Sequence, residues 1–247
     1  MKIKNVNIGE GSPKIVVSFS GHNLTEIKRE LNVAHENNDK FDIIEIRGDS
    51  FEALSREEHI ECVQTVISEL SHIPILYTYR TIQEGGKGGK SAAEYEALLA
   101  EIIDECDIDI IDIEFFKYED IVDHLVKKAK DKGVTVLLSV HDLEDTPHFE
   151  EMMATYQAMI AQGGEILKLA YMPKNGRDVL SVLSAVHDAR QAFDKPVVGI
   201  SMGETGRITR LAGGVFGSCL MYSYLEDSVA DGQIDAHLLK QNLTQFD

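Results

Sequence analysis

The chain has 247 residues, 43% of them hydrophobic, and a formal net charge of −18 at neutral pH. That length suits one α/β barrel of about 250 residues, with ample core material. The charge argues against a nucleic-acid partner, which needs a basic face, and no apolar run approaches the roughly 18–20 residues of a membrane span.

Met1 to Asn5 is basic, but no apolar stretch follows, so no secretory signal is expected. Cys62, Cys106 and Cys219 are far apart and form no paired motif. They read as reduced core thiols of a cytoplasmic protein. No Cys/His cluster has zinc spacing, so no metal site is expected.

In chain order, the first dozen residues suggest a hairpin that closes the bottom of a barrel. Apolar strand runs then alternate with helix-period segments. Lys14–Phe19 reaches Ser18 near its end. Ile43–Arg47 carries Glu45 and Arg47 two residues apart, hence on one face. On its own, that pair reads as a structural ion pair in a barrel mouth as readily as a binding site. Ile75–Arg80 leads into the glycine-rich stretch Gly85–Ser91. A phosphate loop would need glycine where Glu84 stands, so this stretch is expected to be a mobile polar loop.

Helix Ala93–Cys106 follows, with Ala93, Leu98, Ile102 and Ile103 expected on its apolar face. Strand Ile108–Glu114 brings Asp112 and Glu114 to one face. These carboxylates suit a structural role better than a metal site, and Glu114 is in reach of the mouth to tune a neighbour. Helix Glu119–Asp131, strand Val134–His141, helix Phe149–Gln162, strand Ile166–Ala170, helix Arg177–Phe193 and strands Val197–Ser201 and Val215–Tyr222 complete the pattern. Asp142 faces away from its neighbour His141 and is expected to cap a turn.

About eight β-then-α units predict a (β/α)₈ TIM barrel forming one catalytic domain over residues 1–247. A doubly wound open sheet is the alternative, but no Gly-rich dinucleotide turn follows the first strand. Barrel chemistry gathers at the C-terminal ends of strands. Those ends carry Ser18, Glu45, Arg47, Arg80, Glu114, His141 and Lys168. A lysine inside an apolar run is costly to bury as an ammonium. Desolvation favours the neutral amine, the form that attacks a carbonyl. His141, on the adjacent strand, is the natural proton carrier beside it.

Several motifs in order resemble the type I 3-dehydroquinate dehydratases, Schiff-base lyases of the shikimate pathway. They are Ile43–Arg47 with Asp49, then Tyr79, Arg80 and Thr81 with Glu84 to Gly86. Ser139 to Asp142 with Thr146 and Pro147 follows, then Lys168 to Pro173, Ser201 to Gly203 with Arg210, and Gly232 with Gln233. The resemblance implies that Lys168 forms the imine, His141 is the general acid and base, and Glu84 orients the histidine. It implies that Glu45, Arg47, Arg80 and Arg210 bind substrate, with Arg210 on its carboxylate. It gives Ser18 and Gln233 contacts to substrate hydroxyls or a covering role. No cofactor is implied, the partner is a small carboxylate substrate, and a homodimer is suggested. Three arginines in one mouth would form a local anion trap in an otherwise acidic protein.

Three positions depart from the family pattern. Gly48 replaces a larger apolar residue, Val229 stands about where a serine is common, and Asp231 replaces a common proline. Two other functions share the imine lysine or the fold: a class I aldolase, which would want a phosphate site, and a non-catalytic carboxylate-binding relative.

Overall fold

The structure, a computed structural model, describes residues 1–115, 119–243 and 245. A short antiparallel hairpin, β1 (Lys2–Ile3) and β2 (Val6–Asn7), opens the chain. Eight strands follow: β3 (Lys14–Phe19), β4 (Ile43–Arg47), β5 (Ile75–Thr78), β6 (Ile110–Glu114), β7 (Thr135–Asp142), β8 (Ile166–Tyr171), β9 (Val197–Ser201) and β10 (Leu220–Tyr224). Each pairs in parallel with the next from β3 to β9, and β10 pairs in parallel with β3. The ring closes between β9 and β10 through the Val197–Ser218 bridge and a Cys219 N–H to Val197 carbonyl bond of 2.8 Å. Strand β11 (Ile234–Asp235) joins the upper end of β10. This is the expected (β/α)₈ barrel with its N-terminal hairpin.

Helices α1 (Leu24–Glu36), α2 (Arg56–Glu69), α3 (Ala92–Glu105), α4 (Glu119–Asp131), α5 (Phe149–Ala161) and α6 (Gly176–Ala192) follow β3 to β8 in turn. Local sequence starts several of them. Ser55 with Glu58 and Ser91 with Glu94 form reciprocal capping boxes on α2 and α3, and Asn175 with Asp178 does so on α6. Short helices α7 (Gly203–Gly206) and α8 (Ile208–Ala212) follow β9, and α9 (Ala236–Leu243) closes the chain.

Some boundaries differ from the sequence reading. Strand β10 begins at Leu220, because Gly213–Phe216 forms a 3₁₀ turn that ends on left-handed Gly217. On α3 the buried face is Tyr95, Leu99, Ile102 and Ile103; Ala93 is exposed and Leu98 only partly buried.

Strand alternation separates two cores. Outward residues such as Val17, Ile44, Tyr77, Ile113, Leu138 and Leu169 pack against the helices. Inward residues Val16, Ile43, Leu76, Ile110, Leu137 and Ile166 form a floor, sealed from below by Ile3 and Ile8 of the hairpin segment. Lys4 anchors the hairpin, reaching Asp109 at 2.8 Å and the Ile73 carbonyl at 2.9 Å. Two residues further along the same strands, on the same inward face, the side chains become Ser18, Glu45, Thr78, Asp112, Ser139 and Lys168.

Candidate active site

Above the apolar floor lies a cavity of about 450 Å³, at the C-terminal ends of the strands. Its lining includes Glu45, Arg47, Arg80, Glu84, His141, Lys168, Arg210 and Gln233. Ser18 does not line it. Ser18 is buried and donates to Glu45 Oε2 at 2.5 Å, while Thr78 donates to Glu45 Oε1 at 2.9 Å. Ser18 therefore orients Glu45 from behind the cavity wall.

Lys168 stands on β8 opposite Ser139 of β7, with His141 opposite Ala170 one step higher. Both side chains point inward. Lys168 is 5% exposed. Burial is the main cause that pulls its ammonium down to about 8, and Arg80 and Arg47 add to the effect. Asp112 and Glu45 oppose it. The closest carboxylate among the described residues is Asp112, 4.0 Å from Nζ. The amine is thus partly neutral near physiological pH.

Asp112 is largely committed elsewhere. It accepts from Arg80 Nη2 at 2.6 Å and from Ser139 Oγ at 2.6 Å. Arg80 also donates through Nη1 to Glu84, Glu114 and Ser139 at 3.0–3.1 Å. It is buried inside a cage of carboxylates. Glu114 accepts from Arg80 and from the backbone and hydroxyl of Thr81, so its contact with the reacting groups runs through Arg80.

His141 Nδ1 lies 2.9 Å from Glu84 Oε2, and that same oxygen accepts from Arg80. Arg80 offsets the carboxylate charge, so Glu84 acts on the ring as a hydrogen-bond acceptor. Burial first, then the charges of Arg80, Lys168, Arg47 and Arg210, hold His141 well below the ordinary histidine range. Its resting form is a neutral imidazole with the proton on Nδ1, facing Glu84, and Nε2 left as the base.

The three arginines are not equivalent. Asp49 grips Arg47 in two parallel bonds of 2.8 Å. Arg80 is matched by its cage. Arg210 is 4% exposed and has no carboxylate in ion-pair reach among the described residues. Among the described residues its Nε is buried without a partner, and Nη2 reaches only the Asp231 carbonyl at 3.4 Å. Burial and the neighbouring Arg207 charge draw it down to about 10. A buried guanidinium left this way favours an incoming anion.

The remaining walls are apolar, with Ala170, Met172, Ile200 and Met202 on one side and Val229 and Ala230 on the loop above. Gln233 Oε1 accepts from Val229 N–H at 2.9 Å and from Ser228 Oγ at 3.2 Å. The Ser228 hydroxyl is therefore spent within the loop, and Val229 presents an apolar side chain to the cavity. Asp231 lends its carbonyl to Arg210.

Gly48 has a local cause. A Cβ there would collide with the Tyr77 phenol, which is fully buried and bonded to His59 Nε2 at 2.9 Å. The glycine-rich loop, expected to be mobile, is instead pinned. Gly86 N–H and Gly88 N–H donate to the Thr81 and Arg80 carbonyls, and Lys87 N–H to Asp49 Oδ2 at 3.0 Å. Gly86 abuts the Arg80 carbonyl with no room for a Cβ. Asp142 Oδ1 accepts from the Glu144 and Asp145 N–H groups, capping a turn.

Two features are absent from the sequence reading: Thr78 and Ser139, which complete a polar ring with Asp112 around Lys168, and Tyr222, whose ring centroid lies 3.9 Å from Lys168 Nζ. Counting by twos from the lysine's level would have found the first. Among the described residues, no cluster of His, Cys, Asp and Glu is arranged to hold a metal, and no helix is long and apolar enough to cross a membrane.

The geometry supports capture of a carbonyl by a buried amine beside a neutral imidazole, with a cation ready for a carboxylate. Comparison with known proteins points the same way. Residues 15–247 match the type I 3-dehydroquinase family. The 3-dehydroquinate dehydratase of Alkaliphilus oremlandii is 34% identical over 248 residues, spanning 100% of this chain and 96% of the relative. That of Salmonella paratyphi B is 35% identical over 244 residues, spanning 98% and 96%. The crystal structure of the type I 3-dehydroquinate dehydratase of Clostridium difficile superimposes with a TM-score of 0.94 at 35% identity, covering 100% of this chain and 96% of that one. The chain belongs to the type I 3-dehydroquinase family.

Proposed function

We propose that Lys168 is the amine through which this 3-dehydroquinate dehydratase captures its ketone, and that His141 moves the protons. The observation that carries this reading is the buried Lys168 amine, drawn down to about 8, one strand step below a neutral His141.

The neutral amine adds to the ketone carbon, and the resulting carbinolamine takes up one proton, given back when the product imine is hydrolysed, and loses water to leave a protonated imine. That cation acidifies the adjacent C–H. His141 Nε2 takes the proton, and the C–H electron pair flows toward the imine nitrogen, forming an enamine. The enamine pushes out the β-hydroxyl, which leaves as water with the proton returned by His141. Hydrolysis of the conjugated imine releases 3-dehydroshikimate and restores the amine. The net change is loss of one water. The imine supplies the electron sink, so the chemistry calls for no cofactor. General acid–base help of this kind contributes roughly 10²–10⁴-fold.

Glu84 holds the His141 ring and tautomer. Arg210 takes the substrate carboxylate in its unmatched fork. Glu45 and Arg47 face the substrate hydroxyls, each held by its own partners, Ser18 with Thr78 and Asp49. Arg80 binds at the cavity edge while it orders Glu84, Asp112 and Glu114. Gln233 and its loop cover the site. A phosphate grip, which an aldolase would want, is not what these groups form. One catalytic domain, a homodimer and a cytoplasmic location complete the reading and follow from the family resemblance.

Borohydride added with 3-dehydroquinate tests it. Mass spectrometry should find the reduced adduct on Lys168. Turnover without an adduct at Lys168 would overturn the assignment.

A further inference from the structure

Tyr222 is the inward residue of β10 beside Lys168, and nothing in the reaction just described uses it. It is buried among Val198, Ile200 and Leu220, lines the cavity, and presents its ring face to Lys168 Nζ, 3.9 Å from the centroid. That is well inside the roughly 6 Å over which an aromatic quadrupole attracts a cation. The hydroxyl is buried and has no hydrogen-bond partner among the described residues. Hydrogen bonding therefore does not explain the residue; the ring face does. The lysine needs such a partner, because Asp112 is 4.0 Å away and already bonded to Arg80 and Ser139 at 2.6 Å.

We propose that Tyr222 is a positioning residue whose ring carries the positive charge of Lys168 Nζ, first as ammonium and then as the protonated imine. The contact does not depend on protonation alone, because the same nitrogen stays cationic after condensation. The ring thus offsets part of the burial that would otherwise depress the ammonium further. It also favours the imine over the free ketone and amine. The second effect rests on Lys168 being the imine-forming residue; the first does not.

The test follows reductive methylation of Lys168 by formaldehyde and cyanoborohydride across pH, read by peptide mass, on the substrate-free enzyme. Tyr222→Leu should move the midpoint of Lys168 reactivity down by about one pH unit, the size expected for a desolvated cation–π contact. Tyr222→Met should do the same. Tyr222→Phe keeps the ring and should hold the midpoint near that of the parent protein. A residue that only fills the barrel would alter stability and leave the midpoint in place. An unmoved or raised midpoint in folded Leu and Met variants overturns the proposal, as does a Phe variant that shifts like Leu. If neither aliphatic variant folds, the parent protein decides: the ring current must shift the Lys168 Hε resonances upfield, and unshifted resonances overturn it. Failure of 3-dehydroquinate to label Lys168 would sink the catalytic reading while leaving this titration intact.

Discussion

The same strands build two unlike layers. At the level of Ile43, Leu76, Ile110, Leu137 and Ile166 the barrel interior is hydrocarbon, plugged by Ile3 and Ile8. Two residues higher it holds Glu45, Thr78, Asp112, Ser139 and Lys168, and one step above that Arg47, Arg80, Glu114 and His141. The lower layer needs only volume and apolarity. The upper layer keeps buried charges, and it does so by matching nearly every one. Arg80 meets three carboxylates, and Arg47 meets Asp49. The difference teaches where chemistry is available. Groups with full partners give rigidity, and the two cations without a close carboxylate among the described residues, Lys168 and Arg210, are the ones the proposed reaction uses.

The contrast breaks most severely at Lys168. Lys168→Ala should abolish both turnover and the borohydride adduct, measured by absorbance of the conjugated product and by intact mass. Retained turnover would return the lysine to a structural role. His141→Ala should slow turnover by roughly 10²–10⁴-fold while the imine still forms and is trapped. Normal rates would remove the imidazole from the mechanism. Arg210→Ala should lower kcat/KM by about 50-fold, mostly through KM, as expected for a lost charge-assisted pair. An unchanged KM would contradict the carboxylate assignment.

A pH profile sharpens the comparison further. Only the neutral amine attacks, and its fraction grows with pH up to the Lys168 value of about 8. Below that point kcat/KM should fall about tenfold per pH unit. His141 is held well below the ordinary range, so it adds no inflection near 6.5. An inflection there that vanishes in His141→Ala would show an imidazole charged in the resting enzyme. The floor should respond in the opposite manner. Ile110→Ala should cost about 2–5 kcal/mol of stability by denaturant titration. It should leave the pH midpoint of the folded enzyme where it was; a moved midpoint would mean the layers are electrostatically coupled.

Much of this was legible in the chain. Lys168 and His141 stand out because a charged or titratable group at the end of an apolar strand violates the local pattern. Glu45 and Arg47 share a face by simple alternation. The barrel follows from eight repeats of the same two periods. Other features were less legible. The bond from Glu84 to His141 spans 57 positions, and only the family resemblance, not local pattern, implied it. The glycine loop looked mobile because its pinning bonds run to Arg80, Thr81 and Asp49. Gly48 departs from the family pattern for a reason local sequence does not carry: Tyr77, 29 positions away, fills the space a side chain would need.

The sequence by itself determined the alternation of strands and helices, the apolar floor, and which residue types stand at the strand ends, because periodicity and burial cost act over a few neighbouring residues. Only the tertiary structure decided which charges are matched. Three arginines look alike in a string of letters, yet one is clamped, one caged and one left open. That outcome depends on distances between residues brought together by ring closure, and electrostatic energy in a buried site is set by those distances and by the water excluded from them.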